Sequence, residues 1–290
     1  MNVVWSQYVQ GINTLYFSRK LRFDDLFAAQ YTTFFQFDAG KNLKFLEIGC
    51  GPGALAGALH RWYPNAGITA IDRDSEFIRF AAQQESGITF MEGDATNLPF
   101  DGHTFDVTIS NTVSEHIEPS KFYAEQLRVL KPGGVCLVLS SRKGIQIAQA
   151  CTAPGEYEQK FWEKAAQYDD TMEKYAVCKY PMSEAELPAA MEQAGFHQVT
   201  TGFATIDLTP DNPKYPASMA HDMINANRYN DLDAVEARLH IAPDHFDRQE
   251  IEAMKRLINA KYDERIHQYD CGIKCWDTSV SIIMMIRGVK

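Results

Sequence analysis

No apolar run in this 290-residue chain approaches the roughly 18 residues a membrane-spanning helix needs. The densest stretches are Val135–Leu139 and Ile282–Ile286. The first twenty residues lack a basic start followed by an apolar stretch, so no secretory signal is expected. Basic residues are the scarcer kind of charge, 28 Lys and Arg against 38 Asp and Glu, for a net charge of −10. That balance disfavours a general phosphate-backbone binder, and no nucleic-acid partner is expected, although a local basic patch would survive it. Six cysteines (Cys50, Cys136, Cys151, Cys178, Cys271 and Cys275) in a long chain without a leader are poor evidence for a disulfide framework. Cys271 and Cys275 stand as Cys-x₃-Cys, but no second pair or His-x₃₋₅-His completes a zinc site, so no metal is expected. There is no internal repeat. A soluble cytoplasmic protein is expected.

What is present is an ordinary globular composition, 45% apolar and 23% charged, which rules out disorder. The length is about twice the usual prior of roughly 150 residues for one domain, room for a large core or a substantial insertion. From Leu43 to Ser140 short apolar runs alternate with helix-like stretches. Strands are expected over Leu43–Gly49, Ile68–Asp72, Ile88–Glu92, Phe105–Ser110 and Gly134–Ser140. Helices are expected over Ala54–Trp62, Ser75–Gln84 and Lys121–Leu130. This is the pattern of a doubly wound α/β domain whose parallel sheet is covered on both faces. Ser183-Glu-Ala-Glu186 has capping-box spacing for a helix that should stop at Gly195. His197–Leu208 and Asp277–Arg287 then complete a seven-stranded sheet.

Two excursions interrupt the pattern, 142–182 and 209–276. The second has helical periodicity, with Asp247-x-x-Glu250 able to cap a helix carrying Ile251, Met254, Ile258 and Tyr262 on one face. Insertions this long are more often lids or pocket walls than padding, and Met219, His221, Met223 and Tyr229 suit a partly apolar acceptor pocket. The first 37 residues are rich in aromatics, with Phe23, Phe27, Tyr31 and Phe34 at one-face helical spacing. They form either an amphipathic helix docked on the sheet or one that also covers a cofactor. The expected organisation is a helical cover over 1–42, a sheet domain over 43–208 and 277–290, and a helical cap insertion over 209–276.

The strongest chemical signal is Phe45-Leu-Glu-Ile-Gly-Cys-Gly-Pro-Gly53. A strand ends in three alternating glycines before a helix, which permits a tight turn and close backbone approach to a ligand. With Ala54 the loop also satisfies Gly-x-Gly-x-x-Ala, so a dinucleotide site stays open at this point. Asp72 ends the second strand, where a carboxylate accepts hydrogen bonds from ribose hydroxyls. Gly93-Asp94-Ala95 follows the third strand, Phe105-Asp106 through Glu115-His116 spans the fourth, and Leu130-Lys-Pro-Gly-Gly134 precedes the fifth.

Together, in this order and spacing, these motifs resemble those of the class I S-adenosylmethionine-dependent methyltransferases over residues 43–140. The nearest flavour is the small-molecule, ubiquinone/menaquinone-type branch. The resemblance implies a Rossmann-like doubly wound fold and S-adenosyl-L-methionine as cofactor, with S-adenosyl-L-homocysteine as product. It implies that Glu47 organises the glycine loop and the methionine end of the cofactor. Gly49, Cys50, Gly51 and Gly53 would form the loop beneath it. It implies ribose binding by Asp72 and adenine contacts by Asp94 and the Ala95 N–H. Arg73 is a candidate for the adenine face, and Asn111 for a backbone carbonyl to the cofactor's amino group. Glu115 and His116 stand at the mouth of the crevice as candidate catalytic residues; His116 has a pKa suited to a general base, while the alternative is that the pair only ties down its loop. Tyr16 and Arg19 are further candidates for the methionine carboxylate. The expected activity is methyl transfer to a small-molecule acceptor by in-line displacement. A protein methyltransferase, an NAD(P)-dependent oxidoreductase and a non-catalytic S-adenosylmethionine-binding protein are the alternatives.

Overall fold

The computed structural model of the chain describes residues 5–147 and 152–290. Cys151 and the first four residues of the expected cover lie outside them. In chain order the elements are α1 (Trp5–Tyr8), α2 (Ile12–Arg22), α3 (Ala28–Phe35), β1 (Lys44–Ile48), α4 (Ala54–Trp62), β2 (Gly67–Asp72), α5 (Ser75–Gln84) and β3 (Thr89–Glu92). They continue with β4 (Phe105–Asn111), α6 (Pro119–Val129), β5 (Leu130–Ile147), α7 (Glu156–Gln167), α8 (Thr171–Lys174) and α9 (Glu186–Gln193). The chain closes with β6 (His197–Leu208), α10 (Ala217–Ile241), α11 (Arg248–Asp270) and β7 (Thr278–Val289).

The sheet has seven strands in the order β3-β2-β1-β4-β5-β7-β6. The pairings among β1 to β5 are parallel, and β7 runs antiparallel to both β5 and β6. The sheet is therefore mixed at one edge rather than wholly parallel. Alternation along the strands supplies both faces. Phe45, Ala70, Val107, Ile109, Leu137 and Leu139 pack with α3, α4 and the start of α10, while Leu46, Ile48, Cys136 and Val138 pack with α6 and α9. Each fully buried large side chain contributes about 1.5–3 kcal/mol.

Local chemistry sets the helix starts. Asp74 Oδ1 accepts the Glu76 N–H at 2.9 Å to open α5. Ser183 and Glu186 form the reciprocal box ahead of α9, at 2.8 and 3.3 Å. Asp247 Oδ1 accepts the Glu250 N–H at 2.8 Å to open α11.

Three expectations change. β5 runs seven residues past Ser140, to Ile147, because Ser141–Ile147 pairs with the start of β7. Gly144 makes this possible, since a Cβ there would lie 1.9 Å from the Val280 carbonyl oxygen. The aromatic face of the N-terminal segment runs through Phe23, Phe27, Tyr31 and Phe35, while Phe34 is only partly buried, against Gly202. A break at Asp24, whose side chain accepts the Leu26 N–H, shifts the helical phase by one residue.

The third change concerns 209–276. Met219 and Met223 lie in the sheet core, Tyr229 stacks on Phe17 at 4.7 Å, and His221 pairs with Asp270 at 2.8 Å. These four residues form no pocket wall. Because β6 and β7 are antiparallel neighbours, the segment leaves and re-enters at the same end of the sheet, where it braces α2 from behind. Asp233 Oδ2 accepts both the Thr14 N–H, at 2.9 Å, and its hydroxyl, at 2.7 Å. Arg265 of α11, fully buried, ties the insertion to both strand ends through Asp211 at 2.8 Å and Asp277 at 2.6 Å.

Candidate active site

A cavity of about 710 Å³ opens at the carboxyl ends of β1, β2 and β4, where an open α/β sheet places its ligand crevice. Gly49 and Gly51 line it, with φ of +68° and +53° that other residues rarely adopt. A Cβ on Gly49 would stand 2.5 Å from Val113 Cγ2, and one on Gly51 would stand 3.2 Å from the Arg19 guanidinium. Gly53 turns the chain into α4 with φ +90°, and Cys50 is buried beneath the loop; neither borders the cavity.

Asp72 reaches the cavity and staples the loop. Its Oδ2 accepts the Gly51 N–H at 2.8 Å and its Oδ1 the Asp74 N–H at 2.9 Å. Burial raises its pKa, and the two backbone bonds oppose that rise. A carboxylate has about four acceptor sites, so each oxygen keeps capacity for a ligand hydroxyl. Asp94 and Ala95 line the neighbouring wall, with Asp94 Oδ1 held by the Thr96 N–H and hydroxyl, both at 2.8 Å. Arg73 also lines the cavity, its guanidinium 5.2 Å from the Trp5 ring centre. Glu47 is fully buried behind the loop with Oε2 unpartnered, and burial pushes its pKa up to about 8. Asn111 is buried outside the lining, and its carbonyl accepts the Thr112 hydroxyl at 2.7 Å.

Arg19 stands at the centre of the arrangement. Its Nη2 donates to Thr112 Oγ1 at 2.8 Å, and no carboxylate among the described residues lies within ion-pair distance of it. Desolvation lowers its pKa to about 10, with Glu47, Asp72 and Glu115 pulling the other way. Tyr16 is turned away from the cavity, with its hydroxyl 3.3 Å from Glu85.

Glu115 and His116 border the cavity on a short turn after β4, and both are stitched to residues 176–180. The Cys178 N–H donates to His116 Nδ1 at 2.9 Å, and the Tyr180 N–H to the Glu115 carbonyl at 2.8 Å. His116 therefore carries its proton on Nε2. Burial first, then Arg73 and Arg19, lower its pKa to about 4. Burial raises the Glu115 carboxyl instead.

The wall has three further parts, the first of them in the 142–182 excursion expected to supply a lid or pocket wall. Residues 176–180 contribute Val177 between Ala176 and Cys178, both at positive φ, and Thr112 has φ +53°. Such backbone costs on the order of 1–3 kcal/mol per residue and clusters at functional sites. Trp5, on α1, closes the mouth against His116 with ring centres 4.8 Å apart. Arg22 and Ser141 form the far end. No helix among the described residues is long and apolar enough to cross a membrane.

A glycine cradle, an acid placed for a ribose, an acid-and-amide corner and an enclosed cation without a counter-ion fit a ligand with adenosine at one end and a carboxylate at the other. Comparison with known proteins agrees with that fit. Residues 46–138 match the family described as a methyltransferase domain. That match covers about a third of the chain. A phthiotriol/phenolphthiotriol dimycocerosates methyltransferase of Mycobacterium ulcerans is 37% identical over 110 residues, 37% of this chain and 40% of that protein. A fatty-acid O-methyltransferase of Mycolicibacterium smegmatis is 36% identical over 110 residues, with the same shares. The match thus spans about two-fifths of these curated relatives. Among solved structures, a phosphoethanolamine N-methyltransferase 2 from Haemonchus contortus in complex with S-adenosyl-L-methionine shares the fold. Its TM-score is 0.53 at 14% identity, covering 100% of this chain and 60% of that one.

Proposed function

We propose that this protein transfers a methyl group from S-adenosylmethionine to a small-molecule acceptor, by in-line displacement in the cavity above the glycine loop. The observation that carries the reading is the convergence of Gly49, Gly51, Asp72, Asp94, Ala95 and Arg19 on one cavity. The names of the curated relatives support a small-molecule acceptor. Bound S-adenosylmethionine supplies an already activated methyl, so the protein's task is binding, alignment and exclusion of water. Asp72 takes the ribose hydroxyls on its remaining lone pairs. Asp94 and the Ala95 N–H take the adenine, and Arg19 takes the methionine carboxylate. Glu47, buried behind the loop and outside the cavity lining, organises the loop from behind, and Arg73 and Trp5 close the mouth. His116, held neutral with Nδ1 occupied, positions the acceptor wall. Glu115 is the better-placed proton acceptor where the substrate has a proton to lose.

On this reading residues 43–208 and 277–290 form the S-adenosylmethionine-binding unit, 1–42 is its cover, and 209–276 braces that cover. The location we propose is the cytoplasm, where exposed thiols such as Cys178 and Cys271 persist reduced. Calorimetric titration tests the cofactor, with S-adenosylmethionine and S-adenosylhomocysteine expected to bind and NAD not. Turnover of label from S-adenosylmethionine into a metabolite extract then tests the reaction. Binding of NAD without either sulfur nucleoside would refute the reading.

A further inference from the structure

Arg22 follows Arg19 by one helical turn on α2, and both line the cavity. Their surroundings differ. Arg19 lies against Gly51 and Thr112, at the glycine loop, whereas Arg22 reaches the end of β5, with Nη1 3.5 Å from Ser141 Oγ. Arg22 Nε is buried and has no hydrogen-bond partner, and no carboxylate among the described residues forms an ion pair with this side chain. Burial pulls its pKa down. A desolvated guanidinium with an open edge is costly unless something anionic completes it.

The other cations of the lining stand elsewhere in the cavity, with Lys179 lying 5.6 Å from the Tyr180 ring centre. Lys121 pairs with Glu118 at 2.8 Å, Arg73 lies over Trp5, and Arg19 serves the glycine-loop end. The same cavity is lined by the apolar side chains of Val9, Leu15, Ile117 and Val177.

We infer that Arg22 and Ser141 form an anion subsite for the methyl acceptor, and that the acceptor is an amphipathic carboxylic acid with its apolar body along Val9, Leu15, Ile117 and Val177. One guanidinium edge and one hydroxyl match a monoanionic carboxylate in charge and in fork geometry. A phosphate dianion would call for a second free cation at the same spot. The inference rests on the methyltransferase reading, with the cofactor occupying the glycine-loop end and leaving the Arg22 end to the acceptor.

The test uses the full-length protein saturated with S-adenosylhomocysteine, titrated with octanoate, 1-octanol and octylamine. Octanoate is expected to bind at least tenfold more tightly than the alcohol or the amine. Arg22→Met, which keeps the apolar stem, is expected to lose octanoate at least tenfold while binding S-adenosylhomocysteine within twofold of the unmodified protein. Ser141→Ala, which leaves α2 untouched, is expected to lose octanoate three- to tenfold. Equal affinity for octanoate and octanol overturns the subsite, as does octanoate binding that survives Arg22→Met. If Arg22→Met instead loses S-adenosylhomocysteine, Arg22 belongs to the cofactor end and the inference falls. Failure of the unmodified protein to bind S-adenosylhomocysteine overturns the methyltransferase reading itself, a result separate from the octanoate comparison, which the cofactor-free protein also reports.

Discussion

Replacing Arg19 by methionine removes the guanidinium that lies over the glycine loop while keeping most of the side chain's volume. Among the described residues the Arg19 side chain has one hydrogen bond, to Thr112 Oγ1 at 2.8 Å, so most of its donors are open to a ligand. Hydrogen bonds to a charged group are worth about 1.5–3 kcal/mol. At about 1.4 kcal/mol per tenfold, the loss of a bound carboxylate corresponds to roughly 10- to 150-fold weaker binding. That loss falls on one end of the ligand. 5′-Methylthioadenosine shares the nucleoside and sulfur of S-adenosylhomocysteine but lacks the amino-acid end. Calorimetry on both should therefore show S-adenosylhomocysteine weakened by that factor and methylthioadenosine within about twofold of the unmodified protein. Stability should hold, because the variant removes a desolvated charge that makes no ion pair. Equal losses for the two ligands would show that Arg19 shapes the loop and does not touch the carboxylate.

The part of the site carried by short, contiguous motifs was legible. The Gly49–Gly53 loop and Asp72 each stand at the end of a strand that stops within a residue of the expected place, because a buried parallel strand has no choice about which residues it hides, and Asp94–Ala95 follows the half-exposed β3 at its expected end. Legibility failed where partners lie far apart in sequence. Ser141–Ile147 reads as polar loop, and only β7, more than a hundred residues later, makes it a strand through Gly144. The 176–180 wall carries no periodicity, and its place is set by backbone donors to His116 and Glu115. Arg19 is a candidate from its charge, but Arg22 reads as an ordinary helix charge, because the break at Asp24 and the brace from α10 decide which face of α2 meets the cavity. For Met219, His221, Met223 and Tyr229 the sequence leaves pocket and core equally open, and none of them lines the cavity. Apolar side chains such as Met219 and Met223 suit a pocket and a core equally, and only the antiparallel β6–β7 pairing tells them apart.

Gly49→Ala should cost about 1–3 kcal/mol of stability, from its positive φ and the 2.5 Å approach to Val113, whereas Gly67→Ala, with nothing within 4 Å, should be nearly silent by thermal denaturation. His116 gives a signed pH effect: its folded pKa, about 4, lies below the unfolded value near 6.5, so stability is complete above pH 6.5 and declines as pH falls toward 4. His116→Gln should shrink that acid-side decline in Tm, and an unchanged slope would show that the imidazole is not desolvated. Arg265→Met tests whether 209–276 is a fixed brace. Arg265 is wholly buried between Asp211 and Asp277, and Asp211 also accepts the backbone N–H groups of Cys275, at 2.9 Å, and Trp276, at 2.7 Å. Removing the cation leaves two carboxylates facing each other without a counter-charge, which costs about 3–5 kcal/mol for a buried pair. The brace acts on α2 through Asp233 and Thr14, so the damage should spread from the far sheet edge to the cover, and S-adenosylhomocysteine affinity should fall together with stability. Loss of less than about 1 kcal/mol, or full stability loss with ligand affinity untouched, would separate the insertion from the cover and return it to the role of an independent lid.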